Sequence, residues 1–152
     1  MINTTLCYIE RDGKYLMIHR IKKKNDVNQD KWIGVGGKLE PGESPFDCVR
    51  RETLEETGVV PTGLRYHGII TFVSDVFGTE YMHLFSASGY DGNIDYECNE
   101  GKLEWIEKEK VSSLPLWKGD LIFLDLMENE DRFFSLKLVY NGDTLVSHTL
   151  EF

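Results

Sequence analysis

The sequence of 152 residues has no apolar run near the roughly 20 residues that a membrane-crossing helix requires. It has only three cysteines, Cys7, Cys48 and Cys98, odd in number and widely spaced. That excludes a disulfide framework and reads as reduced thiols in a cytoplasmic setting. It has no internal repeat, no low-complexity tract and no proline- or glycine-rich linker, so residues 1–152 read as one domain. The opening MINTTLCYIE lacks the basic-then-apolar order of a signal peptide. Positive charge is also scarce, with 17 bases against 26 acids and a net charge of -9. Duplex nucleic acid and anionic membranes need a broad positive field, so neither is expected as the main partner. A small anion stays open if a metal ion or a local lysine cluster reverses the field at one site.

What is present suits a packed soluble domain. A chain of this length buries about 68–70% of its unfolded surface and needs no staple. TTLCYIE and KYLMIHR, joined at RDG, predict a hairpin over residues 4–20. IKKKNDVNQDK is a polar loop with the one dense positive patch, Lys22, Lys23 and Lys24, which composition alone explains as a solvated loop. KWIGVGGKLE predicts a strand or a strand entering a turn. Ser44 and Pro45 predict a helix start, and Gly58 its stop. Two strand-like stretches follow, then an acidic loop, a short strand at KLEWI and a second helix in KGDLIFLDLMEN. A last hairpin turns at NGD. The order predicts an α+β or α/β sandwich built on a mixed sheet.

The stretch GGKLEPGESPFDCVRRETLEETGV carries the chemistry. On a helix over 45–57, Glu52, Glu55 and Glu56 fall within roughly 100° of one another. Phe46, Val49 and Thr53 form the neighbouring stripe, which is the expected buried face. Two carboxylates about 4 Å apart repel by roughly 4 kcal/mol at an effective dielectric of 20. Arg51 can pair with Glu55 one turn on, but one arginine does not neutralise the group. A hard divalent cation does, and magnesium or manganese suits oxygen ligands. The glycines ahead of the helix let backbone approach that cation or a phosphate. An acidic surface helix that binds nothing is the plain alternative.

The same stretch resembles the Nudix box, G-x5-E-x7-R-E-U-x-E-E-x-G-U, with U a bulky aliphatic residue. Gly37, Glu43, Arg51, Glu52, Glu55, Glu56, Gly58 and Val59 meet it, and Thr53 departs at the first U. At ordinary residue usage the fixed letters match a given start by chance on the order of once in 10^8. The resemblance implies a Nudix-type α/β/α sandwich and a divalent metal, Mg2+ with Mn2+ as the other candidate, held against a pyrophosphate. Glu52, Glu55 and Glu56 then become ligands, with the Gly37 carbonyl as an extra one. Glu43 and Arg51 become the supporting ion pair. The implied reaction is hydrolysis of a nucleoside diphosphate linked to another group, with metal lowering the pKa of the attacking water. The general base is either Glu52 or a fourth carboxylate outside the box. Glu100 is favoured as that fourth group and as a further ligand, with Glu97 and Glu104 as competitors.

KWIGVGGKLEPGE together with LPLWKGD resembles the MutT-like branch of the family, which removes oxidised purine triphosphates from the nucleotide pool. That likeness implies a base pocket in which Trp117 stacks and Asp120 binds the base edge, with Phe72 and Met82 as walls. A core aromatic is the plain alternative for Trp117. Ile33 stands where the mammalian member has asparagine, and isoleucine offers no hydrogen bonds. Lys23, Lys24 and Lys38 are the candidates for the terminal phosphates. His19, His67, His83 and His148 lack metal-ligand spacing. The expected substrate is 8-oxo-dGTP. ADP-ribose, a dinucleoside polyphosphate, or a catalytically silent nucleotide-binding module remain the alternatives.

Overall fold

The computed structural model describes residues 2–22 and 26–152. The elements run β1 (Ile2–Arg11), β2 (Lys14–His19), β3 (Trp32–Ile33), α1 (Pro45–Thr57), β4 (Val60–Ser74), β5 (Gly78–Asp91), β6 (Lys102–Glu107), α2 (Asp120–Asn129), β7 (Phe134–Asn141) and β8 (Thr144–Glu151). A 3-10 turn, Lys108–Ser113, precedes α2. The strands form one sheet in the order β3-β2-β1-β5-β4-β7-β8, with β6 also pairing β2. It is mixed, since β1/β5 and β4/β7 are parallel and the other pairs antiparallel. The stretch expected as a strand, KWIGVGGKLE, is regular only at Trp32–Ile33 and continues as single bridges at Val35 and Lys38.

Successive strand residues face opposite sides, so each apolar strand feeds two cores. From β1, Leu6 and Tyr8 join Phe123, Leu124 and Met127 of α2. Cys7 and Ile9 join Val49 of α1, with Leu16, Ile18 and Phe85. The result is an α/β/α sandwich on a mixed sheet, as the sequence predicts.

The start of α1 is fixed locally. Ser44 accepts from the Asp47 amide at 3.1 Å, and Asp47 accepts from the Ser44 amide at 3.0 Å, with Pro45 in the first turn. A cap of this kind contributes about 1 kcal/mol. Gly58 closes the helix at φ 81°, its N–H reaching Leu54. The expected buried stripe needs one correction. Cys48, Val49, Thr53 and Thr57 are the buried residues, whereas Phe46 is 36% exposed. Phe46 sits in the first turn, near-perpendicular to the rings of Tyr66 and Phe85, with the Arg50 guanidinium over its ring.

Candidate active site

Segments distant in sequence meet at one cleft of about 620 Å3, a size usual for small-molecule sites. The Gly34–Lys38 turn and Glu52 of α1 line it, as do Arg20, Asp26 and Asn28 and the Glu100 turn. Ile33, Phe72, Met82, Trp117 and Asp120 line it too, from β3, β4, β5 and the entrance to α2. Among the candidates read from the sequence, Glu52, Glu100, Gly37, Lys38, Ile33, Phe72, Met82, Trp117 and Asp120 therefore share one cavity. Lys23 and Lys24 lie outside the described residues.

Glu52 is pressed against Gly37. A Cβ on residue 37 would stand 2.3 Å from the Glu52 carboxyl carbon, so only glycine lets the carboxylate lie on the turn. The Gly37 carbonyl accepts from the Thr5 amide at 2.9 Å and from the Cys48 thiol at 3.6 Å, a weak donor that a cation could displace. Arg51 organises the outside of this group. Its Nε and Nη2 donate to the two Glu43 oxygens at 2.7 and 2.9 Å, its Nη1 to Glu52 at 2.8 Å, and its Nη2 to the Lys38 carbonyl at 3.0 Å. Arg51 holds the Glu43 carboxyl down to about 2. Glu55 is exposed and reaches Arg51 at 3.3 Å.

Glu56 is half-buried beneath the turn and does not line the cleft, accepting from the Gly36 amide at 3.3 Å. Burial, then the nearby charges of Glu100 and Glu52, push its carboxyl well above the usual range. Glu100 Oε2 is buried without a hydrogen-bond partner among the described residues. It lies 3.1 Å from Arg20 Nη1, close enough for ion pairing but without hydrogen-bond alignment. Of the competitors, Glu97 pairs with Lys22 at 2.5 Å, and Glu104 is exposed on β6. Neither lines the cleft.

Among the described residues, no three acidic, histidine or cysteine side chains close around one point. Glu52 is turned to Arg51, and Glu55 stands outside. The residues nonetheless fit a divalent cation. A buried carboxylate oxygen lacks a partner, the Gly37 cradle brings a carboxylate beside a backbone carbonyl, and the cleft lining carries five acids against two bases. Oxygen donors of this kind suit magnesium or manganese.

At the apolar wall, Trp117 is 4% exposed and packs edge-on against Phe72 and Tyr140, with ring centroids 5.1 and 4.9 Å away. Lys31 Nζ lies 4.5 Å from its ring centroid, and its Nε1 donates to Asn28 at 2.9 Å. Only a small part of the indole reaches the cleft, so Trp117 is a core aromatic as well as a lining residue. Asp120 is buried, and burial raises its carboxyl to about 8 against the pull of Lys31.

Sequence reading missed Arg20, Asp26 and Asn28. Arg20 directly follows β2 as one of several basic residues, and Asp26 and Asn28 sit in a loop without periodicity. No local signal marked them; the contacts that give them meaning span up to 89 positions.

The chain belongs to the NUDIX family, whose domain matches residues 2–127, and is a Nudix hydrolase acting on pyrophosphate bonds of nucleotides. It is 32% identical over 149 residues to the zebrafish (Danio rerio) oxidized purine nucleoside triphosphate hydrolase, covering 97% of this chain and 92% of that protein. It is 29% identical over 126 residues to the CTP pyrophosphohydrolase of Escherichia coli, covering 82% and 90%. Its fold matches the crystal structure of the MutT protein from Bacillus halodurans with a TM-score of 0.87 and 28% identity, covering 99% and 98%.

Proposed function

We propose that this hydrolase is a Mg2+-dependent nucleoside triphosphate pyrophosphohydrolase that acts on oxidised purine nucleotides, converting 8-oxo-dGTP to 8-oxo-dGMP and pyrophosphate. One observation carries the reading: Glu52, Glu100 and the Phe72–Met82–Trp117–Asp120 wall share a single cleft. The cation would be held by Glu52, Glu56 and Glu100 with the Gly37 carbonyl, and Glu55 at the outer edge. When bound it supplies charge neutralisation on the phosphates and a lowered pKa for the attacking water. Glu43 and Arg51 keep the box in shape. Glu52 and Glu100 remain the two candidates for the general base, since both border the cleft. Lys38, exposed at the cleft edge, meets the terminal phosphates.

The base end supports a purine through Asp120. A carboxyl that titrates near 8 is largely protonated at neutral pH, so it donates to a carbonyl on the base edge and accepts through its other oxygen. Ile33 adds shape but no hydrogen bond. The likeness to a CTP pyrophosphohydrolase supports a pyrimidine triphosphate as the second reading. The free thiols Cys7 and Cys48 suit a reducing compartment such as the cytoplasm, where the enzyme would act.

The test is a substrate panel with Mg2+: dGTP, 8-oxo-dGTP, 2-oxo-dATP, CTP, ADP-ribose and a dinucleoside polyphosphate, with Glu52→Gln and Glu100→Gln alongside. Preference for 8-oxo-dGTP, with monophosphate and pyrophosphate as products and loss in the variants, supports the proposal. Preference for CTP moves the chain to the second reading. Turnover of ADP-ribose alone removes the base-pocket argument.

A further inference from the structure

Arg20, directly after β2, lies between Asp26 and the Glu100 turn and pairs with both. Its side chain is buried, and its Nε donates to Asp26 at 2.8 Å. Its Nη1 lies 3.1 Å from Glu100 Oε2 without hydrogen-bond alignment. The backbone around both residues is tightly tied. The Arg20 amide donates to the Lys31 carbonyl at 3.0 Å, and the Lys22 amide to the Glu100 carbonyl at 3.2 Å. A Cβ on Gly101 would stand 1.8 Å from the His19 carbonyl oxygen, so the Glu100 turn is jammed against the end of β2. The Glu100 backbone therefore has little room, and any change of partner falls to its side chain.

That carboxylate sits between two calls on it. Arg20 attracts it from one side without a well-aligned hydrogen bond, and the Glu56 carboxyl stands near it on the other. A charge in this position stays only while its counter-ion does, because an unpaired buried carboxylate is costly.

We propose that Arg20 is a positioning residue that stands in for the metal: it holds Glu100 in the metal-free enzyme, and Glu100 passes from Arg20 to the divalent cation when the cation binds. Asp26 keeps hold of the guanidinium during the exchange. Arginine has five N–H donors, and those freed by the exchange face the same cleft. The inference rests on the metal-dependent reading above. It sets the metal affinity of the resting enzyme, because each cation bound must first displace Arg20 from Glu100.

The experiment is a Mn2+ titration of substrate-free protein, with free Mn2+ followed by electron paramagnetic resonance. Native protein, Arg20→Gln, Arg20→Lys, Glu100→Gln and the Arg20→Gln/Glu100→Gln pair are compared, with folding checked by circular dichroism. Removing the rival cation tightens Mn2+ binding roughly three- to tenfold in Arg20→Gln. Arg20→Lys stays near native, and the gain disappears in the Glu100→Gln background. A merely structural role for Arg20 would loosen metal binding instead. Should Arg20→Gln misfold, Asp26→Asn answers the same question: the guanidinium, with one rival acceptor weakened, leans harder on Glu100, and affinity falls several-fold only while Glu100 is present. Unchanged or weaker affinity in folded Arg20→Gln, or no dependence of the Asp26→Asn effect on Glu100, overturns the inference and leaves the metal reading intact. Native protein that takes up no Mn2+ overturns both.

Discussion

Gly37 and Glu52 touch so closely that no β-carbon fits between them: it would stand 2.3 Å from the Glu52 carboxyl carbon and 2.5 Å from its Oε2. Residue 37 is thus the floor on which a cleft-facing carboxylate rests. Gly37→Ala is expected to swing Glu52 away and to lower kcat by roughly 10²-fold, since displacements of about 1 Å at a reacting centre have that effect. Its melting temperature should move far less than its activity. Near-native kcat would show that Glu52 is not needed where it lies.

Asp120 makes stability depend on pH in the alkaline direction. Burial raises its carboxyl from 3.8 to about 8. A raised carboxyl stabilises the fold fully below the unfolded value, and that stabilisation is lost as pH rises through the folded value. The Asp120 contribution to stability should therefore decline between pH 4 and 8, by on the order of 1 kcal/mol per pH unit, and level off above. Asp120→Asn removes this slope. Urea unfolding of both proteins at pH 5, 7 and 8.5 checks it, and parallel profiles would count against a neutral Asp120.

His67 acts with the opposite slope. It is buried beside Ser86 Oγ at 2.6 Å, and burial lowers it from 6.5 to about 4. The folded state prefers the neutral ring, so stability is whole above pH 6.5 and is lost as pH falls toward 4. His67→Gln keeps a polar group near Ser86 without this titration. Thermal melts at pH 7, 5.5 and 4.5 should show the native protein losing ground to the variant as pH falls.

Trp117 is expected to affect folding as well as substrate. It fills space between Phe72 and Tyr140, so Trp117→Ala should cost about 3–5 kcal/mol in chemical denaturation. Asn28→Ala, which leaves the indole N–H without its partner, should cost about 1–3 kcal/mol. A loss below about 1 kcal/mol for Trp117→Ala would make it a surface residue of the cleft instead.

The box from Gly37 to Val59 was legible because its signals are local. Ser44, Pro45 and Gly58 act through caps a few residues away, and helical spacing gathers Glu52 and Glu56. Phe46 was misjudged because helical periodicity says which residues share a stripe, not how far the stripe extends over the sheet. KWIGVGGKLE was read as a strand from its composition. A Cβ on Gly36 would stand 1.8 Å from the Thr5 carbonyl oxygen, and this closeness keeps the segment against β1 with bridges only at single points.

By itself the sequence determined the sandwich of α1, α2 and a mixed sheet, the capped helix and the acidic cluster with its glycine lead-in. All of these follow from residue type and short-range spacing. Only the tertiary structure decided that Glu100 rather than Glu97 or Glu104 borders the cleft, that Glu55 stands outside it, that Trp117 is mostly core, and that Arg20 and Asp26 belong to the site. Each of those outcomes depends on how β2, β6 and the loops between distant strands are brought together, and strand pairing acts across separations that no local pattern in the chain records.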